Sequence, residues 1–124
     1  MDRSIKILIV DDFATMRRIL KNILKQLGFV NITEADDGTT ALEQLKSGHF
    51  DLIISDWNMP KMTGLELLKT VRGMNDIKSI PFLMVTAEAQ KQNVISAVQA
   101  GVSNYVVKPF TAEQISDKLE KILK

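Results

Sequence analysis

The sequence contains no cysteine. Disulfides, thiol nucleophiles and thiolate-held zinc are thereby excluded. It also has no long hydrophobic run. The strongest, Ile7 to Val10, is strand-sized and far too short to cross a bilayer. The N-terminus lacks the basic, apolar, small-residue succession of a secretory signal. Neither charge sign is in excess: sixteen Lys+Arg stand against fifteen Asp+Glu, a formal charge of +1. That balance offers no global attraction to nucleic acid or membrane, so any electrostatic function must come from local clusters. What remains is 124 residues, 45% hydrophobic and 25% charged, which suits one domain with a sizeable core. A cytoplasmic, monomeric protein with no nucleic-acid or membrane partner is expected.

Short apolar runs alternate with helical patterns along the whole chain, without a linker between them. Ile5 to Val10 reads as a strand ending in Asp11-Asp12, and Phe13 to Leu27 as a helix with apolar residues at Phe13, Met16, Leu20, Ile23, Leu24 and Leu27. Gly28 follows as its C-terminal stop. Asn31 to Ala35 is a weaker strand, and Thr40 to Lys46 a short helix stopped at Gly48. Asp51 to Ser55 is a strand that runs into Asp56. Thr63 with Glu66 forms a capping box for a helix whose Leu65, Leu68 and Val71 face inward. Phe82 to Val85 is a strand ending at Thr86, and a helix from about Gln90 to Ala100 stops at Gly101. Ser103 to Val107 is the last strand, and Thr111 with Gln114 caps a final helix through Ile115, Leu119 and Ile122.

Five strands alternating with five helices imply an α/β fold, a parallel sheet with helices on both faces. Right-handed crossovers restrict its topology. The near-continuous apolar runs Ile7 to Val10 and Leu52 to Ile54 suit central strands buried on both sides. A doubly wound, flavodoxin-like sheet of order 2-1-3-4-5 is predicted. In such sheets ligands bind beyond the C-terminal strand ends, where the strand order reverses. Those ends carry Asp11-Asp12, Asp56, Thr86 and, after the fifth strand, Lys108-Pro109.

Three carboxylates brought together repel, so one must hold a proton or a cation must sit among them. Hard oxygen ligands without His or Cys favour Mg²⁺ or Mn²⁺. Mg²⁺ usually keeps sites for water and phosphate oxygens, so a phosphate-bearing guest is expected. Lys108 supplies a point charge and Thr86 a hydroxyl for phosphoryl oxygens. Asp56, central in the predicted pocket, is the best candidate for an oxygen nucleophile. Singly, each residue has a plainer reading. Asp11-Asp12 before a helix is commonly a cap and turn, Thr86 a turn hydroxyl, and Lys108 a solvated loop residue. Arg17, Arg18, Lys21 and Lys25 read as a solvated helix flank, and His49 as a surface turn residue. The joint placement of the acids, Thr86 and Lys108 at central strand ends is what favours function.

The segments Ile7-Leu8-Ile9-Val10-Asp11-Asp12, Ser55-Asp56-Trp57-Asn58-Met59-Pro60, Val85-Thr86-Ala87 and Tyr105-Val106-Val107-Lys108-Pro109-Phe110 occur in this order. Together they resemble the response-regulator receiver domain of two-component signalling, over almost the whole chain. The stretches Asp12 to Arg18 and Asp56 to Pro60 resemble most closely the chemotaxis regulators of that family. Receiver domains are themselves a known instance of the strand order above, so resemblance and order are one piece of information. The resemblance implies one receiver domain over 1–124 with no output domain. Asp56 would accept a phosphoryl group from a phosphohistidine of a sensor histidine kinase. Asp11, Asp12, Asp56 and the backbone carbonyl of Asn58 would arrange Mg²⁺. Lys108 would pair with Asp56 or its phosphoryl group, and Thr86 would move to bond a phosphoryl oxygen. Tyr105 would turn inward as Thr86 moves, although on its own it reads as a packing aromatic. Lys108-Pro109 would be a cis bond. Asn58 and Glu88 would help set the phosphoryl lifetime, and a dedicated phosphatase is a further expected partner. Phosphorylation and dephosphorylation would be self-catalysed, which is not turnover of a separate substrate.

The resemblance also implies a surface for the flagellar motor switch protein, matched here by Ala89, Lys91, Tyr105, Val107, Thr111 and Lys118. This chain departs from the pattern within it. Val94 stands where isoleucine is usual and Val98 where a smaller alanine is, while Gln90 and Gln92 occupy positions often charged. Asn104 replaces a common glycine before Tyr105. Overpacking in a groove costs about 1–3 kcal/mol, so these changes bear on motor binding and leave the pocket untouched. The alternatives are a phosphate sink, a regulator of another partner, or a Mg²⁺-dependent phosphohydrolase. The last lacks a second Asp two residues after the first in Asp11-Asp12-Phe13-Ala14-Thr15. An FMN carrier of the same fold would need a phosphate cradle where Asp11-Asp12 would repel one.

Overall fold

The computed structural model describes residues 2–87 and 90–123. Glu88 and Ala89, both named above, lie outside the described residues. The strands are β1 (Lys6–Val10), β2 (Asn31–Ala35), β3 (Leu52–Asp56), β4 (Phe82–Thr86) and β5 (Asn104–Val107). Between and after them run α1 (Ala14–Gln26), α2 (Gly38–Ser47), α3 (Gly64–Arg72), α4 (Lys91–Gln99) and α5 (Ala112–Ile122). All strands are parallel, in the order β2-β1-β3-β4-β5, as predicted.

Alternation along each strand divides the core in two. Leu8, Val10, Ile53, Phe82 and Met84 face α2 and α3, where Ala41, Leu45, Leu67, Leu68 and Val71 meet them. Ile7, Ile9, Leu52, Ile54, Leu83 and Val85 face α1 and α5, packing on Leu20, Leu24, Ile115 and Leu119. Strands β3 and β4 are buried at every position, which is why both faces of the central sheet had to be apolar. A residue shift in either strand would exchange the two layers wholesale, so register is firmly specified.

Caps set the helix starts, and they explain where the structure departs from the expected boundaries. The predicted capping boxes Thr63/Glu66 and Thr111/Gln114 are both present. A third, Asp37/Thr40, starts α2 at Gly38 rather than at Thr40. Its Asp37 Oδ1 accepts the Thr39 and Thr40 backbone N–H groups at 2.7 and 3.0 Å. Phe13 stands before α1, 61% exposed, and not on its buried face. In α3, Leu67 is fully buried with Leu68 and Val71, while Leu65 is half-buried. Ridges one residue apart share an apolar face wide enough to accept either. Helix α4 is the most lightly held: Ala97 is its buried residue, and it has no side-chain N-cap.

Two arginines tie loops at the opposite end of the sheet from the acidic strand ends. Arg3 Nε donates to Leu27 O at 2.6 Å and the guanidinium lies over the Phe29 ring at 5.1 Å. Arg72, at the end of α3, donates through Nε to Gly101 O (2.9 Å) and through Nη1 to Lys78 O (2.9 Å) and Ile80 O (2.7 Å). It thereby fastens the C-terminal end of α4 to the loop before β4. Gly101, at φ +94°, offers its carbonyl from a backbone conformation that side chains resist. Replacing Arg72 by methionine removes three charge-assisted bonds and leaves carbonyls without partners. The expected loss is about 1–3 kcal/mol in urea unfolding, with the far-ultraviolet circular dichroism of the folded state unchanged.

Candidate functional site

The acidic site is built where β1 and β3 end side by side. Strand β1 stops at Val10, paired with Ala35 on one side and Ser55 on the other. Asp11 follows, 1% exposed. Its Oδ1 accepts the Phe13 N–H at 2.9 Å, so the plainer turn reading and the pocket reading hold at once. Asp12 is exposed at the rim. Asp56 is the last residue of β3 and is buried. Behind it, a Cβ on Gly64 would run into the Asp56 carbonyl oxygen, so only glycine lets α3 start this close.

Lys108 arrives from the far side of the sheet. Its N–H donates to Thr86 O at 2.8 Å, and the Lys108-Pro109 bond is cis, as the resemblance implied. Its Nζ lies 3.0 Å from Asp56 Oδ1 and 3.6 Å from Asp11 Oδ2. Thr86 closes β4, buried beside them. Asn58 is exposed on the loop between β3 and α3, two residues after Asp56. Trp57 is half-buried against the layer formed with α2 and α3, and its N–H donates to Val85 O at 3.0 Å.

The oxygen donors fit a hard divalent cation. Carboxylate oxygens of Asp11, Asp12 and Asp56 lie within 4.8 Å of one another. Among the described residues, Asp11 Oδ2 is a buried side-chain oxygen without a hydrogen-bond partner. Buried polar atoms are rarely left so, and a cation bound by oxygen ligands would complete it. Burial pushes the Asp11 carboxyl above its ordinary value, and the nearby Asp56 charge adds to this against the pull of the Phe13 N–H.

Tyr105 is half-buried, with Lys118 Nζ 5.6 Å from its ring centre. Lys91 and Thr111 are exposed; Val94 and Val107 are half-buried; Val98 is 61% exposed. Arg17 corrects the reading of a merely solvated flank. Its Nη1 donates to Asp11 O at 2.6 Å while Nε meets Glu34 Oε1 at 3.1 Å. The signal was its spacing of six from Asp11, one helical turn inside α1, but the partner Glu34 lies on another strand. His49 is exposed as expected, yet its Nε2 meets Asp51 Oδ1 at 2.7 Å. A concavity of about 520 Å³ adjoins His49, Phe50 and Ile77 at the N-terminal strand ends, away from the carboxylates. It gathers no comparable set of reactive groups.

A raised Asp11 has a definite sign for stability. The ionised form is disfavoured in the fold, so its contribution is favourable below the ordinary value of about 3.9. That contribution is lost as pH rises through the higher folded value. Without divalent cation, Asp11→Asn is therefore expected to raise the melting temperature at pH 7. The gain should shrink as pH falls toward 3.9, where both proteins are neutral at this position. Parallel melts across pH check this, and a gain independent of pH would contradict it.

Residues 7–120 match the model of the response regulator receiver domain. The chain is 62% identical over 117 residues to a chemotaxis protein CheY of Pseudomonas aeruginosa, covering 94% of each chain. It is 57% identical over 122 residues to chemotaxis protein CheY-3 of Vibrio cholerae, covering 98% of this chain and 94% of the relative. Among solved structures, Vibrio cholerae CheY4 superposes with a TM-score of 0.89 at 35% identity, over 96% of this chain and 98% of that one. A receiver domain from Francisella gives 0.87 at 28%, over 96% of each. Among the described residues no helix is long and apolar enough to cross a membrane. With its five-stranded order, its acidic strand ends and its near-complete match, the chain belongs to the response regulator receiver domain family.

Proposed function

We propose that this receiver domain is a chemotaxis switch, phosphorylated on Asp56 by a sensor histidine kinase. The observation that carries the reading is the meeting of Asp11, Asp12 and Asp56 with Lys108, whose Nζ lies 3.0 Å from Asp56 Oδ1. Its relatives are named chemotaxis proteins. The family match spans residues 7–120 and the described residues form one five-stranded sheet, so the proposed unit of function is the receiver domain itself.

The chemistry follows from the residues. An Asp56 carboxylate oxygen attacks the phosphorus of a phosphohistidine. The oxygen–phosphorus bond forms, the phosphorus–nitrogen bond breaks, and the imidazole leaves with a proton taken from water. Asp11, Asp12, Asp56 and the Asn58 carbonyl would hold Mg²⁺, which would supply charge neutralisation for the transferring group. Lys108 stands ready at Asp56 to meet the added charge of about −1.5 to −2. Thr86, at the end of the neighbouring strand, offers a hydroxyl to a phosphoryl oxygen. Hydrolysis of the aspartyl-phosphate by water returns the switch, assisted by the same residues and by Asn58 at the rim, with Glu88 a further proposed contributor. Such self-catalysed steps make the protein a signalling element and not an enzyme with a separate substrate.

Transmission is proposed through α4, β5 and α5. Helix α4 is the one with a single buried residue among those described and no side-chain N-cap, so little packing opposes its displacement. Tyr105 lies on β5, with Lys118 of α5 over its ring at 5.6 Å. A partner reading this surface is the flagellar motor switch protein, with Ala89, Lys91, Val94, Val98, Val107 and Thr111 at the contact. A phosphatase that shortens the signal is a further proposed partner. A cytoplasmic monomer is the proposed working form.

Asp56→Asn should abolish both a Trp57 fluorescence change and a mass gain of one phosphoryl group when a small phosphodonor and Mg²⁺ are added. Labelling that persists in this variant would move the acceptor elsewhere. Val98→Ala should tighten binding of the phosphorylated protein to a motor-switch peptide by about tenfold, the equivalent of about 1.4 kcal/mol. If neither protein binds the peptide although both are phosphorylated, the phosphate-sink reading replaces the motor reading.

A further inference from the structure

The loop from Asp56 to α3 carries Asn58, and its geometry is unusual. The Met62 N–H donates to Pro60 O at 2.7 Å, closing a three-residue turn around Lys61. Lys61 has φ +66°, the one positive value among the described non-glycine residues. A turn of this hand is rare and strained, and such strain persists only where neighbouring structure holds it. The neighbour is the start of α2, an element that offers no group to the acidic site.

Two contacts make the hold. Met62 lies flat on Gly38, the first residue of α2. A Cβ there would sit 2.6, 2.7 and 2.8 Å from Met62 Cγ, Cβ and Sδ. Because Met62 Cβ is among these atoms, rotating the far end of the side chain would not make room; the loop backbone must shift. Beside it, Lys61 Nζ lies 3.7 Å from Oδ2 of Asp37, the buried N-cap whose Oδ1 is already occupied by α2. The loop's far end is fixed separately, where the Gly64 N–H donates to Trp57 O at 2.8 Å. Asn58 therefore sits between an end fixed on β3 and a strained turn fixed on α2.

We infer that the Asp37-Gly38 start of α2, acting through Met62 and Lys61, is a positioning surface for the Asn58 carbonyl and so sets Mg²⁺ affinity. This rests on the reading that the acidic pocket holds Mg²⁺. Groups behind a metal's direct ligands commonly change affinity by about 10–100-fold when they are removed. Gly38 and Met62 make a usable pair because their shapes are complementary. Alanine at Gly38 displaces the loop, and shortening Met62 opens the space that the new methyl requires.

The test is calorimetric titration with MgCl₂ alone, beside melting temperatures without metal, for the wild type, Gly38→Ala, Met62→Ala and the double variant. Gly38→Ala should weaken Mg²⁺ binding by about tenfold. Helix propensity favours alanine over glycine, so loss of affinity without matching loss of helix stability separates positioning from damage to the fold. Met62→Ala should also weaken binding, and it covers the case in which Gly38→Ala fails to fold. The double variant should recover most of the wild-type affinity. Equal affinities in all four proteins would overturn the inference while leaving the metal site standing. Variants that lose affinity in step with melting temperature, without recovery in the pair, would overturn it as well. Absence of Mg²⁺ binding by the wild type would instead remove the metal reading on which it rests.

Discussion

Like charges gathered at the end of an apolar strand bundle are the constraint around which this molecule is arranged. Asp11 and Asp56 are fixed at the ends of β1 and β3, and both are largely buried there. Repulsion between carboxylates so placed is opposed within the chain by Lys108, brought in by the last strand. Much local detail follows from holding those charges still. Arg17 steadies the Asp11 backbone from α1. Gly64 permits α3 to start against Asp56 O, and Ser55 Oγ donates to the same oxygen at 2.9 Å. The two buried carboxylates are thus backed by α1, by the start of α3 and by Lys108.

The sheet was legible because its central strands carry apolar residues on both faces, and only a doubly covered parallel sheet satisfies that pattern. Asp11, Asp56, Thr86 and Lys108 were legible for a related reason: each is the polar residue that ends an apolar run. Less could be read where the deciding partner is remote. Arg17 looks solvated until Glu34 arrives from β2, and Arg72 looks like an ordinary helix-end cation until three loop carbonyls surround it. The start of α2 was placed late because Asp37 reads as turn until its Oδ1 is seen bonded to Thr39 and Thr40. Phe13 fits a helical period yet lies exposed, since the Asp11 turn directs it away from the core.

The two sides of the molecule are held with unequal firmness. Helices α1 and α5 bury two leucines and an isoleucine–leucine pair against one sheet face. On the other face α2 and α3 are deeply seated, while α4 rests on Ala97 and presents Ile95 and Val98 to solvent. Arg72 nevertheless fixes the end of the loop that follows α4. Freedom of this helix is thus greatest away from Gly101, toward the end nearer Thr86.

Lys108 belongs to the segment after the fifth strand, whereas the acids it faces belong to the first and third. Counterion and acids are thus separated by much of the chain and meet only where β5 docks on β4. A small domain folds cooperatively, so these ion pairs form together with the sheet. Closing the last edge of the sheet and balancing the acidic strand ends are therefore one event for this chain.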